Sequence, residues 1–174
     1  MLRTVMFLRH GEAAPAAGSP DRDRPLTAHG AAQAERTGAW IGRGPDPVDA
    51  VLCSPALRTR QTLDGAARGA GWADGSPPVS YAQALYNAGA EDVLDEVALT
   101  DDAVRTLLVV GHFPGLPEAA LTLDPAGPHS GVVRRGMPTG TCVVVATDEP
   151  WSALPDAARG ASDPFGVVSA VFTP

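Results

Sequence analysis

The chain lacks lysine altogether and contains few cysteines. All 13 basic residues are arginine, so an arginine carries information only where it stands in a motif. The two cysteines, Cys53 and Cys142, are too few for a disulfide-stabilised scaffold in 174 residues. Each lies beside an apolar run, which predicts two buried, reduced thiols. No Cys or Cys/His spacing typical of zinc sites occurs, and we expect no metal.

Long apolar runs and a positive net charge are also missing. The apolar stretch before Arg9 is too short for a signal peptide or a membrane span, which predicts a cytoplasmic protein. The formal net charge of -7 disfavours nucleic acid and anionic membranes as partners but leaves room for a local cationic pocket. A hydrophobic content of 44% in 174 residues predicts one globular domain over residues 1–174.

Strand-like and helix-like segments alternate along the chain. β-branched and aliphatic runs predict strands over residues 3–9, 49–54, 79–81, 105–111, 141–146 and 166–172. Helices are predicted over residues 28–41, 55–68, 91–99 and 116–123, with Thr27 as the first N-cap and Pro55 in the first turn of the second helix. This order predicts an α/β fold, a single three-layer α/β/α domain whose mostly parallel central sheet has helices on both faces. The Pro- and Gly-rich segment 124–140 is predicted to be a long loop, either a lid or an insertion.

The first predicted strand ends in Arg9-His10-Gly11. Ligands of open α/β sheets bind just outside the carboxyl ends of the strands. A neutral imidazole is a good nucleophile toward phosphorus, and a guanidinium offers a planar fork for two phosphate oxygens. Taken alone, a motif of three residues is weakly specific and fits a surface Arg-His pair better than a phosphoryl site.

Two later strand ends carry matching polar residues. Ser54 follows the second strand, and the helix after it presents an N-terminus that favours anions, with Arg58 placed to reach the same anion. Arg60 lies on another helix face and is expected to be solvated. Gly111-His112 ends a later strand, where His112 is either structural or a donor to a transferring phosphoryl group. The three strand ends together predict a phosphoryl pocket.

The ordered set of motifs resembles a known superfamily. Arg-His-Gly, then Ser-x-x-x-Arg-x-x-Gln-Thr from Ser54, then Gly-His are similar to the histidine phosphatase superfamily, which has the phosphoglycerate mutase-like fold. Several shorter stretches resemble its SixA-type phosphohistidine phosphatase branch, namely residues 24–27 with Gly30, 85–88, 111–115 and 137–140. The resemblance covers about residues 3–150.

The resemblance implies roles for four residues. His10 would be the nucleophile that becomes phosphorylated, and Arg9, Arg58 and His112 would form the phosphate pocket with it. It implies a metal-independent phosphatase without a cofactor, which removes phosphate from a protein phosphohistidine and releases inorganic phosphate. Two alternatives stay open: a phosphatase of small phosphomonoesters such as sugar or nucleotide phosphates, and a non-catalytic phosphate-binding regulatory module.

The proton donor departs from the mutase-type pattern. Those members place a glutamate where this chain has Leu85-Tyr86-Asn87, and Asn87 is not an acid. Glu91 is a possible proton donor, as is Asp92, although carboxylates are also favoured at the start of a helix. The missing acid favours a phosphoramidate substrate, because a departing imidazole needs less protonation than an alkoxide.

Three further side chains complete the sequence-based expectations. His29 and His129 are expected to be solvated rather than catalytic. Phe113 follows His112, and if it faces the pocket it would make the rim more apolar.

Overall fold

Six strands form one mixed sheet in the computed structural model, which describes residues 1–160 and 164–174. The spatial order is β3-β2-β4-β1-β5-β6. The strands β1, β2, β3 and β4 are mutually parallel where they pair, whereas β5 runs antiparallel to both β1 and β6. The strand bounds are β1 (Arg3–Arg9), β2 (Ala50–Cys53), β3 (Val79–Tyr81), β4 (Thr106–Gly111), β5 (Cys142–Thr147) and β6 (Val167–Phe172).

Helices cover both faces of the sheet, as the sequence predicts. The helix bounds are α1 (Ala28–Ile41), α2 (Leu57–Ala70), α3 (Ala90–Ala98), α4 (Gly115–Leu123), α5 (Ser130–Arg134) and α6 (Pro155–Ala158). Alternation along β1 sends Val5 and Phe7 into the core beneath α3 and α4, and Met6 and Leu8 into the core beneath α1 and α2. No helix in the described ranges is both long and apolar enough to cross a membrane.

Two predicted boundaries are wrong. α2 begins at Leu57, and Ala56 is its N-cap, so Pro55 precedes the helix instead of lying in its first turn. Segment 124–140 is not a continuous loop, because α5 forms a short helix within it. A helix of five residues is too short to display a helical period in the sequence. The predicted N-cap of α1 is confirmed, since the Thr27 side chain accepts a hydrogen bond from the Gly30 amide.

The strand register brings the three polar strand ends to one edge of the sheet. β4 lies between β1 and β2, and Arg9 of β1 is in register with Gly111 of β4. The His10 amide donates to the Gly111 carbonyl at 3.1 Å, and the Ser54 amide donates to the Val110 carbonyl at 3.0 Å. His112 therefore emerges between the ends of β1 and β2.

Two glycines allow the end of β1 to lie directly against the start of α1. A Cβ on Gly11 would lie 2.4 Å from the Gly30 carbonyl oxygen, and a Cβ on Gly30 would lie 2.1 Å from the Glu12 carbonyl oxygen. Either side chain would push the two backbones apart. This contact fixes the turn that follows His10.

Candidate active site

His10 is held in one tautomer by the backbone beside it. Its Nδ1 lies 2.7 Å from the Gly11 carbonyl oxygen, and only a protonated nitrogen donates to a carbonyl. The proton therefore resides on Nδ1, which leaves a free lone pair on Nε2. Burial is the main cause that lowers the pKa of His10 to about 4; the nearby charges of Arg58 and Arg9 add to it, and the Gly11 hydrogen bond opposes it. His10 is thus neutral at pH 7.

His112 lies beside His10 and is fixed by a buried hydroxyl. The two ring centroids are 5.2 Å apart, and His112 Nε2 lies 2.8 Å from Ser54 Oγ. Both His112 and Ser54 are buried. Burial is the main cause that lowers the pKa of His112 to about 3, followed by the charge that His10 carries once it is protonated in acid and by the charge of Arg58. This second imidazole is also neutral at pH 7, and its ring orientation is set by Ser54.

Arg9, which precedes His10 in the chain, is anchored by residues after β4 and before β5. Its Nη1 donates to the Met137 carbonyl at 2.6 Å, and its guanidinium carbon lies 5.2 Å from the centre of the Phe113 ring. The buried Nε has no hydrogen-bond partner in the part of the chain that the structure describes. Phe113 is 54% exposed, so it does contribute an apolar rim beside this arginine. Segment 124–140 thus reaches the site through its last residues.

Arg58 is the second residue of α2 and is buried, with its guanidinium held by Asp21. Arg58 Nη1 donates to the Asp21 carbonyl at 2.7 Å, and Nη2 lies 3.0 Å from the Asp21 carboxylate oxygen Oδ2. These two contacts use two of the five N–H groups of the guanidinium. Among the described residues the remaining N–H groups have no hydrogen-bond partner and could donate to a bound oxyanion.

Sequence reasoning missed Asp21 and Tyr86. The Tyr86 hydroxyl donates to Asp21 Oδ2 at 2.7 Å, and Arg24 Nη1 lies 3.0 Å from Asp21 Oδ1. The hydrogen bond from Tyr86, together with those from Arg24 and Arg58, holds the pKa of Asp21 well below its usual range. The Tyr86 ring packs edge-on against His112, with centroids 5.5 Å apart. The position matched to the mutase acid therefore presents Tyr86 to the pocket, not Asn87, which is exposed with φ 60°.

The remaining candidates are exposed. Glu91 and Asp92 are exposed in the first turn of α3, where Asp92 accepts a hydrogen bond from the Gly89 amide at 2.9 Å. Glu91 has no hydrogen bond to the pocket side chains within residues 1–160 and 164–174, and it lies in the first turn of α3, where negative charge is favoured. His29, His129 and Arg60 are exposed, as expected.

The structure also shows the surroundings of the two cysteines and of the side chains that could bind a metal. Over the described residues, no three His, Cys, Asp or Glu side chains are grouped so that they could hold a metal ion. Cys53 and Cys142 are both buried and unpaired, as predicted, and burial raises the pKa of each thiol to about 12.

The lowered pKa values of His10 and His112 predict how the protein titrates and how its stability depends on pH. NMR titration of the labelled imidazoles in the folded protein is expected to give a pKa of about 4 for His10 and about 3 for His112. The unfolded chain binds these protons near the ordinary pKa of 6.5, so the free energy of unfolding falls as the pH drops from 6.5 toward 4. Titration of His10 near 6.5 in the folded protein would contradict this environment.

Two neutral imidazoles and two guanidinium groups at one sheet edge suit the binding and transfer of a phosphoryl group. The profile of the histidine phosphatase superfamily (branch 1) matches residues 5–86. Together with the relatives described next, this match shows that the chain belongs to that superfamily. Its enzyme class is that of a phosphatase, a hydrolase of phosphoryl groups.

Three relatives illustrate the similarity. A protein of unknown role from Mycobacterium tuberculosis is 36% identical over 149 residues, which span 83% of this chain and 90% of that protein. Phosphohistidine phosphatase SixA from Escherichia coli is 30% identical over 124 residues, which span 63% of this chain and 67% of that protein. A candidate SixA phosphohistidine phosphatase from Nakamurella multipartitia has a solved structure that superposes with a TM-score of 0.83 at 33% identity, over 100% of this chain and 97% of that one. The fold is accordingly phosphoglycerate mutase-like.

Proposed function

We propose that this protein is a metal-independent phosphohistidine phosphatase that works through a phosphorylated His10. One observation carries the proposal: the Nδ1–H of His10 donates to the Gly11 carbonyl, so that Nε2 keeps its lone pair on a ring that lies 5.2 Å from the His112 ring. A neutral, oriented imidazole is the form of histidine that attacks phosphorus.

The proposed reaction has two balanced steps. In the first, the Nε2 lone pair of His10 forms a bond to phosphorus while the bond between phosphorus and the substrate nitrogen breaks, and its electron pair returns to that nitrogen. His10 keeps its proton on Nδ1 throughout, and that N–H donates to the Gly11 carbonyl. In the second step, water attacks phosphorus and the electron pair of the broken P–N bond returns to Nε2. Dihydrogen phosphate leaves, and His10 is again neutral.

Arginine side chains supply the positive charge for both steps. Over the described ranges, Arg9 has a buried Nε without a partner, and Arg58 has N–H groups without a partner beyond its contacts with Asp21. Preorganised donors of this kind stabilise the charge on the equatorial oxygens of the transferring group. Because the arginines supply this positive charge, we propose that the reaction needs no metal ion.

The residue at the acid position supports phosphohistidine as the substrate. A hydrogen bond to Asp21 raises the pKa of Tyr86, so the phenol is a poor proton donor. An alkoxide leaving group requires an acid, whereas an imidazole protonated on its other nitrogen leaves as a neutral molecule. The 30% identity to SixA from Escherichia coli points in the same direction. The proposed partner is therefore a phosphohistidine protein, and inorganic phosphate is the product.

A substrate comparison with chelator tests this proposal. Wild-type protein is assayed with EDTA and no added metal on a phosphohistidine peptide, an aryl phosphate and a sugar phosphate. We expect kcat/KM to be highest on the phosphohistidine peptide and unaffected by EDTA. A higher value on the sugar phosphate would indicate a small-molecule phosphatase. Phosphate binding without hydrolysis of any substrate would indicate a binding module, and loss of activity in EDTA would contradict metal independence.

A further inference from the structure

We propose that the Asp21 carboxylate is a specificity-determining group that accepts a hydrogen bond from the leaving imidazole of the substrate. Asp21 would select a phosphorylated imidazole over a phosphate ester. This inference rests on the proposed function and adds a recognition element to it.

The position of Asp21 fits contact with the leaving group. His10 attacks from the sheet edge, and an in-line displacement places the leaving group on the far side of phosphorus, toward solvent. The Asp21 side chain is 51% exposed, so an incoming substrate reaches it. It is nevertheless tied to the pocket, through Arg58 at 3.0 Å and through Tyr86, whose ring packs on His112.

The carboxylate retains capacity for one more donor. Arg58 and Tyr86 donate to Oδ2, and Arg24 donates to Oδ1. An ionised carboxylate offers about four acceptor positions, two on each oxygen. With the partners found over residues 1–160 and 164–174, one position on Oδ1 remains for a substrate N–H.

The chemistry on the substrate side mirrors that on the enzyme side. Both the donor and the acceptor of the phosphoryl group are imidazoles, and each must carry a proton on its other ring nitrogen while bonded to phosphorus. For His10, the Gly11 carbonyl accepts that N–H. For the substrate, the Asp21 carboxylate would accept it and stabilise the cationic ring. When the P–N bond breaks, the electron pair goes to the substrate nitrogen, and the ring departs neutral with its other N–H in place.

The same carboxylate disfavours esters. A phosphate ester develops negative charge on its leaving oxygen, and a fixed negative charge nearby opposes that development. A general acid would have the opposite effect. Asp21 is not such an acid, because its three hydrogen-bond donors keep it ionised.

The test is the effect of Asp21→Asn on substrate preference, with Asp23→Asn as the matched control. Asp23 lies in the same turn and is exposed, so its substitution removes the same charge two residues away. We measure kcat/KM on a phosphohistidine peptide and on an aryl phosphate, and take the ratio. We expect Asp21→Asn to lower this ratio roughly tenfold or more, the range expected when a charged acceptor becomes neutral. Asp23→Asn should leave the ratio at the wild-type value.

The outcomes separate this inference from the proposed function. If Asp21→Asn lowers kcat/KM equally on both substrates, Asp21 acts only through Arg58. If Asp21→Asn and Asp23→Asn lower the substrate ratio equally, the effect is one of general charge. Either result overturns the inference and leaves the proposed function standing. Wild-type protein that does not hydrolyse the peptide would overturn both. If Asp21→Asn does not fold, Tyr86→Phe removes a hydrogen bond that holds the carboxylate; it should lower the ratio by less, and an unchanged ratio would contradict the inference.

Discussion

Replacement of His10 by alanine is expected to reduce kcat/KM on a phosphohistidine peptide by roughly 10⁴-fold or more, because it removes the nucleophile of the proposed covalent route. The pocket arginines alone would still bind phosphate, so phosphate binding should survive. The measurement is release of inorganic phosphate by wild type and variant at equal concentration, with thermal unfolding as a check on folding.

His29→Ala is the matched control for this prediction. His29 is an exposed histidine in α1, and its replacement is expected to leave the rate unchanged. A folded His10→Ala variant that retains more than about a tenth of the wild-type rate would contradict a covalent role for His10.

The second large effect is expected at Arg58. Arg58→Ala should lower kcat/KM on both the peptide and an aryl phosphate by roughly 10²- to 10³-fold, the range seen when a preorganised donor to a developing charge is lost. The loss should be somewhat larger on the peptide, because Asp21 also loses two of its contacts. In the proposed pocket the buried guanidinium would bind the phosphoryl oxygens, which both substrates share. Competitive inhibition by inorganic phosphate should weaken in parallel. Both quantities are measured by steady-state kinetics.

Arg60→Ala separates this effect from a general loss of positive charge. Arg60 is exposed and lies two residues further along α2. We expect its replacement to change neither kcat/KM nor phosphate inhibition. A similar loss in both variants, or a loss on only one substrate at Arg58, would contradict the shared phosphate pocket.

Periodicity in the sequence was sufficient to predict the architecture. Alternating buried strands and amphipathic helices define the layers, and the apolar runs that end in His10 and His112 lie in β1 and β4 as expected. Because neighbouring parallel strands end at the same edge, the relation of these two histidines follows from the pattern. The antiparallel direction of β5 does not follow from it, since strand direction depends on the route of the preceding connection.

The acidic side of the pocket could not be predicted in the same way. Asp21 lies in a three-residue turn within an aperiodic stretch, and only its contacts across the chain with Arg58 and Tyr86 give it a place in the site. The sequence comparison found the stretch Leu85-Tyr86-Asn87, but which of Tyr86 and Asn87 faces His112 depends on the backbone conformation. Asn87 adopts a left-handed φ of 60° and stays exposed, while Tyr86 packs on His112. Propensity alone does not determine such a choice.

The central claim is a covalent phosphorylated His10, and rapid-quench trapping tests it most directly. Wild-type protein is mixed with a ³²P-labelled phosphohistidine peptide, quenched in alkali within milliseconds, digested and analysed by mass spectrometry. The account predicts label on the peptide that contains His10, in an acid-labile and alkali-stable linkage, formed and lost at rates that match turnover. Turnover of the substrate with no label on His10 at any quench time, or with the label on another residue, would contradict it.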